Sequence, residues 1–324
     1  MTIRIGYHAS HEQFSPRELI GYVKQASNAG FVAAMSSDHF APWSERQGHS
    51  GFVWAWLGAA LQSTDAMTLG LITVPGGWRY HPAIVAQAIA TTVDMFPRRL
   101  PWVALGSGEE MNEHVVGDRW PSKQERNDRL RAATDIIREL LAGGTVTTRH
   151  PIAVNEAKLY TRPLETPKLL IAALTADTAR WAGGFADGLL MVNQSRDAMK
   201  NMIQEFHAGG GEGKPIVLQV HVSYAEGNDA ARLNAYDQWR SNAITASLAA
   251  NLRHPADFDG ASKHVRPEDM DEYVRISSDL NRHVSWLKED ADMGVSEIFL
   301  HNVGRNQTEF IEAFGIDVLP SFAT

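Results

Sequence analysis

A short apolar segment, a polar loop and an amphipathic helix follow one another eight times along this chain, and that alternation restricts the fold more than any other feature. The apolar segments cover residues 3–7, 31–35, 67–74, 101–105, 169–173, 188–192, 216–222 and 296–301. Their near-continuous apolar character fits strands buried on both faces, as in parallel sheets. Between them, Pro16 opens a helix that Gly30 stops, another runs through Trp54, Trp56, Leu57 and Leu61, Pro82 opens a third, and Asn306 begins the closing one. The chain is therefore of the α/β class. Eight alternations favour a closed (β/α)8 TIM barrel over an open doubly wound sheet.

Three stretches interrupt the alternation. Residues 145–160 read as a β-hairpin turning near His150-Pro151, and residues 209–213, with four glycines, read as a flexible loop. Residues 241–279 form a long helical insertion before the eighth unit. No linker or low-complexity tail divides the chain. We expect one domain over residues 1–324, although length alone suggests about two.

Composition removes several functions. The net charge is -8 with no basic run, so nucleic acid is a poor partner. There are no cysteines, which excludes disulfides, thiolate metal sites and a cysteine nucleophile. The opening Met1-Thr2-Ile3-Arg4-Ile5-Gly6-Tyr7 lacks the pattern of a signal peptide, and no apolar run is long enough for a bilayer. A soluble, cytoplasmic protein without a membrane partner is the expectation.

In such barrels the site forms where strand C-termini meet the following loops. Residues after the strands therefore carry the chemistry: His8, His11 and Glu12; Asp38, His39 and Trp43; the 73–77 turn; the 106–113 loop; and His301, Asn302 and Arg305. A neutral imidazole at His39 can take a proton from a substrate hydroxyl near neutral pH. The competing reading is a loop histidine bonded to a backbone carbonyl. Adjacent side chains point different ways, which leaves Asp38 free to face a cofactor. Gly106-Ser107-Gly108-Glu109 lets backbone N–H groups approach a ring or phosphate, yet it lacks the dinucleotide fingerprint and alone reads as a plain turn. His8, His11 and Glu12 are weak metal ligands with no second cluster, so no metal is expected. Trp54 and Trp56 read as helix core, and no Gly-x-Ser-x-Gly elbow anchors a hydrolase.

Four motifs in order carry a resemblance: Gly6-Tyr7-His8-Ala9-Ser10-His11-Glu12-Gln13-Phe14, Ser37-Asp38-His39-Phe40-Ala41-Pro42-Trp43, Trp78-Arg79-Tyr80-His81-Pro82-Ala83 and Gly106-Ser107-Gly108-Glu109-Glu110-Met111-Asn112-Glu113. Together they resemble the F420-dependent glucose-6-phosphate dehydrogenase family, whose cofactor is a deazaflavin, within the luciferase-like monooxygenase superfamily. The resemblance implies hydride transfer between a substrate carbon and C5 of the ring. It assigns His39 as general base, Trp43 and Glu109 as catalytic neighbours, and Glu12 and Asp38 as their polar surroundings. Ser107, Gly108 and Asn112 would touch the cofactor, and Ile72-Thr73 would form a strained, often cis, peptide behind the ring.

Two departures stand out. Leu174-Thr175 occupies the place of a Gly-Gly pair that receives the cofactor phosphate, although Thr175 and the next helix N-terminus could still cap one. The lysines and arginine that clamp a sugar phosphate have no counterpart, since Arg196, Arg253 and Arg275 do not align; this argues against glucose 6-phosphate. The opening motif, Ser44-Glu45-Arg46-Gln47-Gly48 and the 301–307 segment are similar to a sub-group of non-F420 flavinoid oxidoreductases. The expected cofactor is FMN, with coenzyme F420 as the alternative. The expected activity is a dehydrogenase or reductase acting on a small alcohol or carbonyl compound. A monooxygenase using reduced FMN and oxygen is the alternative, and a non-catalytic flavin binder a third reading. A homodimer is implied by the resemblance alone.

Overall fold

The computed structural model describes residues 3–323. Eight parallel strands close on themselves: β1 (Arg4–His8), β2 (Ala33–Ser37), β3 (Thr68–Thr73), β4 (Trp102–Leu105), β5 (Lys168–Ala173), β6 (Gly188–Val192), β7 (Ile216–Ser223) and β8 (Glu297–Asn302). Each pairs with the next, and β8 returns to β1 through Arg4↔Glu297 to Tyr7↔Leu300. The expected TIM barrel is thus present. The helices between strands are α1 (Pro16–Asn28), α2 (Val53–Gln62), α3 (Pro82–Met95), α4 (Lys123–Leu141), α5 (Ala176–Gly183), α6 (Arg196–Phe206), α7 (Asn228–Trp239), α8 (Leu280–Ala291) and α9 (Gln307–Asp317). Ser15 starts α1 with a capping box: its hydroxyl accepts from Glu18 N, and the Glu18 carboxylate accepts from Ser15 N.

Alternate strand residues fill the barrel. Ala33, Met35, Trp102, Ala104, Leu170, Leu190, Val217 and Phe299 form the interior cluster, while the opposite faces meet the helices. The large rings need small partners: a side chain on Gly6 would overlap Phe299, and one on Gly70 would overlap Trp102. At the N-terminal end Glu297 accepts from Arg4 Nη1 (2.6 Å) and Trp102 Nε1 (3.1 Å), which closes the floor with satisfied polar groups. Among the described residues, no helix is long and apolar enough to cross a membrane.

The hairpin is found at Thr145–Thr148 and Val154–Lys158, with the His150-Pro151 turn in the cis form. The 209–213 stretch differs from the flexible loop read from its composition. His207–Gly211 is a π-helical turn whose glycines bring the ends of α5 and α6 into backbone contact. Added to Gly183, a Cβ would lie 2.8 Å from the Gly209 carbonyl carbon and closer still to the Phe206 oxygen. We expect Gly183→Ala to lower stability by about 1–3 kcal/mol through overpacking, read as a fall in the urea midpoint; an unchanged midpoint refutes the tight crossing.

Residues 241–279 hold two short helices, Ala246–Ala249 and Pro255–Ala261, and a strand, Arg275–Ile276, that pairs with β7. The insertion folds back over the barrel mouth.

Candidate active site

β1 and β2 are neighbours with His8 opposite Met35, so the loops that follow them meet. This brings Glu12 to His39 across 27 residues. His39 Nδ1 lies 2.5 Å from Glu12 Oε1, and its Nε2 lies 4.0 Å from Glu109 Oε2. The second Glu12 oxygen accepts from Ser10 Oγ at 2.7 Å. Trp43 stands edge-on to His39, with centroids 5.1 Å apart, and packs in turn on Phe258 of the insertion. Asn112 brackets the group: its Oδ1 accepts from Phe40 N (2.8 Å) and Ala41 N (3.3 Å), and its Nδ2 donates to Glu109 Oε2 (3.1 Å).

The electrostatics follow from this clamp. Burial works against the charged imidazole of His39, but Glu12 and then Glu109 outweigh it and raise the His39 pKa above its ordinary value of 6.5. Burial alone would raise Glu12; the His39 charge and the hydrogen bonds from His39 and Ser10 bring it down to about 2. Glu109 moves up because the protein desolvates it, opposed by His39 and Asn112.

Asp38 has a different task from its neighbour. Its Oδ2 accepts from Thr73 Oγ1 (2.8 Å), and its Oδ1 accepts from the Tyr80 hydroxyl (3.1 Å) and Arg79 Nη1 (3.4 Å). Arg79 also donates to the Asp38 carbonyl (2.8 Å) and, through Nε, to Glu113 Oε1 (3.1 Å). Arg79, Asp38 and Glu113 are all nearly inaccessible. The carboxylate read as a cofactor contact is thus engaged on both oxygens by the protein and ties β2, β3 and the 78–81 turn together.

One expectation is corrected outright. Ile72-Thr73 is not a cis peptide; His150-Pro151 is the cis bond among the described residues. Ile72 and Thr73 lie inside β3, and the ladder holds them extended: Asp38 N donates to Ile72 O, and Gly106 N donates to Thr73 O. Gly108 has φ +86, which requires glycine, and Val74, Glu113 and Trp120 crowd it. Ser107 is half-buried in the same loop.

Leu174 and Thr175 follow β5 and stand apart from the His39 cluster. Leu174 is 52% exposed. Thr175 is the N-cap of α5, accepting from Thr178 N at 3.3 Å, and Asp177 lies in the first turn. His11 packs edge-on against Trp56 at 4.7 Å, and burial lowers its pKa to about 4, so it is a packed neutral ring. Among the described residues no His, Cys, Asp and Glu group is arranged for a metal. The three unaligned arginines are each taken: Arg196 by Glu289, Arg253 by Glu110 at 2.9 Å, and Arg275 by Asp290 at 2.5 and 2.9 Å.

Sequence reasoning missed Arg79, Tyr80 and Glu113 as the scaffold beneath the pair, and Phe258 and Asp259 as its outer wall. The 78–83 motif was the available signal for the first group; nothing local marked the second.

An acid–base pair at the C-terminal mouth of a closed barrel, with a glycine loop after β4 and the α5 N-terminus after β5 at the same end, suits a flavin-type redox ring with a phosphate. The glycine loop allows close approach of backbone, Glu109 and Ser107 offer acceptor and donor groups to a polar ring edge, and α5 offers N–H groups to an anion. The relatives agree. Residues 1–297 match the family model for luciferase-like monooxygenases. The F420-dependent glucose-6-phosphate dehydrogenase of Beutenbergia cavernae is 32% identical over 98% of this chain and 97% of its own. That of Intrasporangium calvum is 30% identical over 98% of each. An F420-dependent secondary alcohol dehydrogenase, solved with an F420-acetone adduct, superimposes with a TM-score of 0.93 at 28% identity, covering 100% of both chains. The chain belongs to the luciferase-like monooxygenase family. It is an oxidoreductase, and its near relatives are F420-dependent.

Proposed function

We propose that this enzyme is an F420-dependent dehydrogenase or reductase for a small, uncharged alcohol–carbonyl pair, with His39 as its acid–base group. The observation that carries this is the clamp of His39 between Glu12 and Glu109. When bound, the deazaflavin ring supplies the carbon that accepts or returns the hydride. Glu12 accepts from Nδ1 and so leaves Nε2 free to take the proton of a substrate hydroxyl. Trp43 holds the imidazole from the side, and Asn112 keeps Glu109 facing it. Ser107, Gly108 and Glu109 would hold the ring, and Thr175 with the α5 N-terminus the phosphate.

A sugar phosphate is not the substrate in this reading, because Arg196, Arg253 and Arg275 are each spent on a carboxylate. The phosphate end also favours F420 over FMN. Asp177 in the first turn of α5 repels anions, and a singly charged phosphodiester suffers less from it than the more highly charged monoester of FMN. Leu174, a side chain where the resemblance calls for glycine, supports the FMN reading instead. The absorption spectrum of the reconstituted protein separates the two: a single deazaflavin band supports F420, and a two-band flavin spectrum overturns it. Turnover without oxygen is expected; oxygen uptake coupled to product would make the enzyme a monooxygenase.

The raised His39 pKa sets a pH dependence. The imidazolium persists above the ordinary 6.5, so alcohol oxidation, which needs the neutral ring, gains rate as pH rises through the raised value. Carbonyl reduction, which needs the imidazolium, loses rate over the same window. Glu12→Gln removes the larger of the two raising charges, so its limb should move to lower pH in a kcat/KM profile. A limb that stays in place sinks the Glu12 assignment.

A further inference from the structure

Three histidines that this mechanism does not use stand together on the floor of the barrel mouth. His8 ends β1, His301 lies near the end of β8, and His221 is its register partner on β7. By strand alternation they face the barrel axis with Gly6, Phe299 and Val217. The His8 ring stacks on His301 with centroids 4.4 Å apart and planes 25° apart. His221 lies 4.6 Å from Trp239, which meets His301 at 4.8 Å. His301 Nε2 is 2.9 Å from Gln13 Oε1, but no protein group reaches its Nδ1, nor either nitrogen of His8. His8 and His301 are only 3% and 2% exposed.

The cluster is uncharged at neutral pH. Burial takes His8 down to about 4, against the pull of Glu12, and His221 down to about 3; it carries His301 well below 6.5. It also adjoins the catalytic pair, since the charges of Glu12 and His39 both act on His8, and Trp43 packs on the same apolar cluster as Trp239. Leaving buried nitrogens unmatched is costly, and a ligand hydroxyl or an ordered water can meet them. A neutral imidazole offers one donor and one acceptor, and a hydroxyl answers both, whereas a phosphate asks for donors and cations.

We propose that His8, His221 and His301 form a subsite for hydroxyl groups remote from the reacting carbon, so that the preferred substrate is an uncharged polyhydroxy alcohol or its carbonyl form. This rests on His39 as the acid–base group of an alcohol–carbonyl reaction.

The test follows F420 reduction by the full chain with D-glucose, glucose 6-phosphate and 2-propanol as donors. D-Glucose should exceed glucose 6-phosphate in kcat/KM by about tenfold or more; the reverse order overturns the subsite. His221→Ala should raise the KM for D-glucose by about tenfold and leave that for 2-propanol, which has no remote hydroxyl, within about threefold. Equal changes for both donors overturn it. In a second readout, free of turnover, the histidine ring nitrogens of 15N-labelled protein are followed by NMR at neutral pH. The rings should report neutral tautomers, and D-glucose should shift those of His8, His221 and His301; unshifted rings overturn the subsite. If D-glucose shifts the rings but no donor reduces F420, the subsite stands and the dehydrogenase reading fails. If 2-propanol is oxidised while the rings stay unmoved, the reverse holds.

Discussion

Replacing His39 with alanine is expected to slow hydride transfer by about 10²–10⁴-fold, the range for loss of a general acid–base group, while cofactor affinity changes little. The side chain touches Glu12, Glu109 and Trp43, and none of the cofactor-facing backbone hangs on it. A single-turnover experiment under saturating cofactor isolates the step, because it reports reduction of the ring rather than product release. His39→Gln keeps a polar group near Glu12 without a titratable nitrogen, and it should be slow too and lose the pH dependence. Unchanged single-turnover reduction in both variants would remove His39 from the chemistry.

The second large effect belongs to stability. Arg79 lies between two carboxylates, Asp38 and Glu113, each about 1% accessible. Burial would raise Glu113 further if Arg79 did not oppose it. Removing one member of such a group strands the others, so Arg79→Met should cost about 3–5 kcal/mol in a denaturant titration. The triple change Arg79→Met, Asp38→Asn, Glu113→Gln should recover part of that loss, because it leaves no buried charge behind. A single variant as stable as the parent would show that these carboxylates find other partners.

The barrel was legible because its strands are buried on both faces and therefore carry apolar runs. Their ends were less so. Residues 31–35 read as β2, yet the strand runs Ala33–Ser37. Phe31 N still bonds to Ala26 O in the turn that ends α1, and the polar Ser36 stays in the strand because its hydroxyl donates to Ala9 O. His39 was visible as a strand-end imidazole and Glu12 as part of its surroundings through the resemblance; their direct contact was not, because the pairing of β1 with β2, not any local spacing, sets Glu12 beside His39. Adjacency implies that Asp38 and His39 point different ways; the partners that Asp38 meets, Thr73, Arg79 and Tyr80, come from β3 and the turn after it, and no local signal gives them. The glycines at 209–213 misled, since composition reports freedom and only packing reports a close crossing of two helices. The Ile72-Thr73 peptide followed the resemblance, and the unbroken β3 ladder keeps it extended.

The insertion at 241–279 interrupts the alternation in sequence and, in the structure, braces the loop that follows β2. Asp259 accepts from Ser44 Oγ (2.7 Å), Glu45 N (3.1 Å) and Arg46 Nη1 (2.5 Å), while Phe258 seats Trp43. The loop that carries Trp43 thus springs from a barrel strand and is braced by a segment outside the barrel. Changes within the insertion would reach the loop that carries Trp43 and leave the barrel strands beneath it as they are.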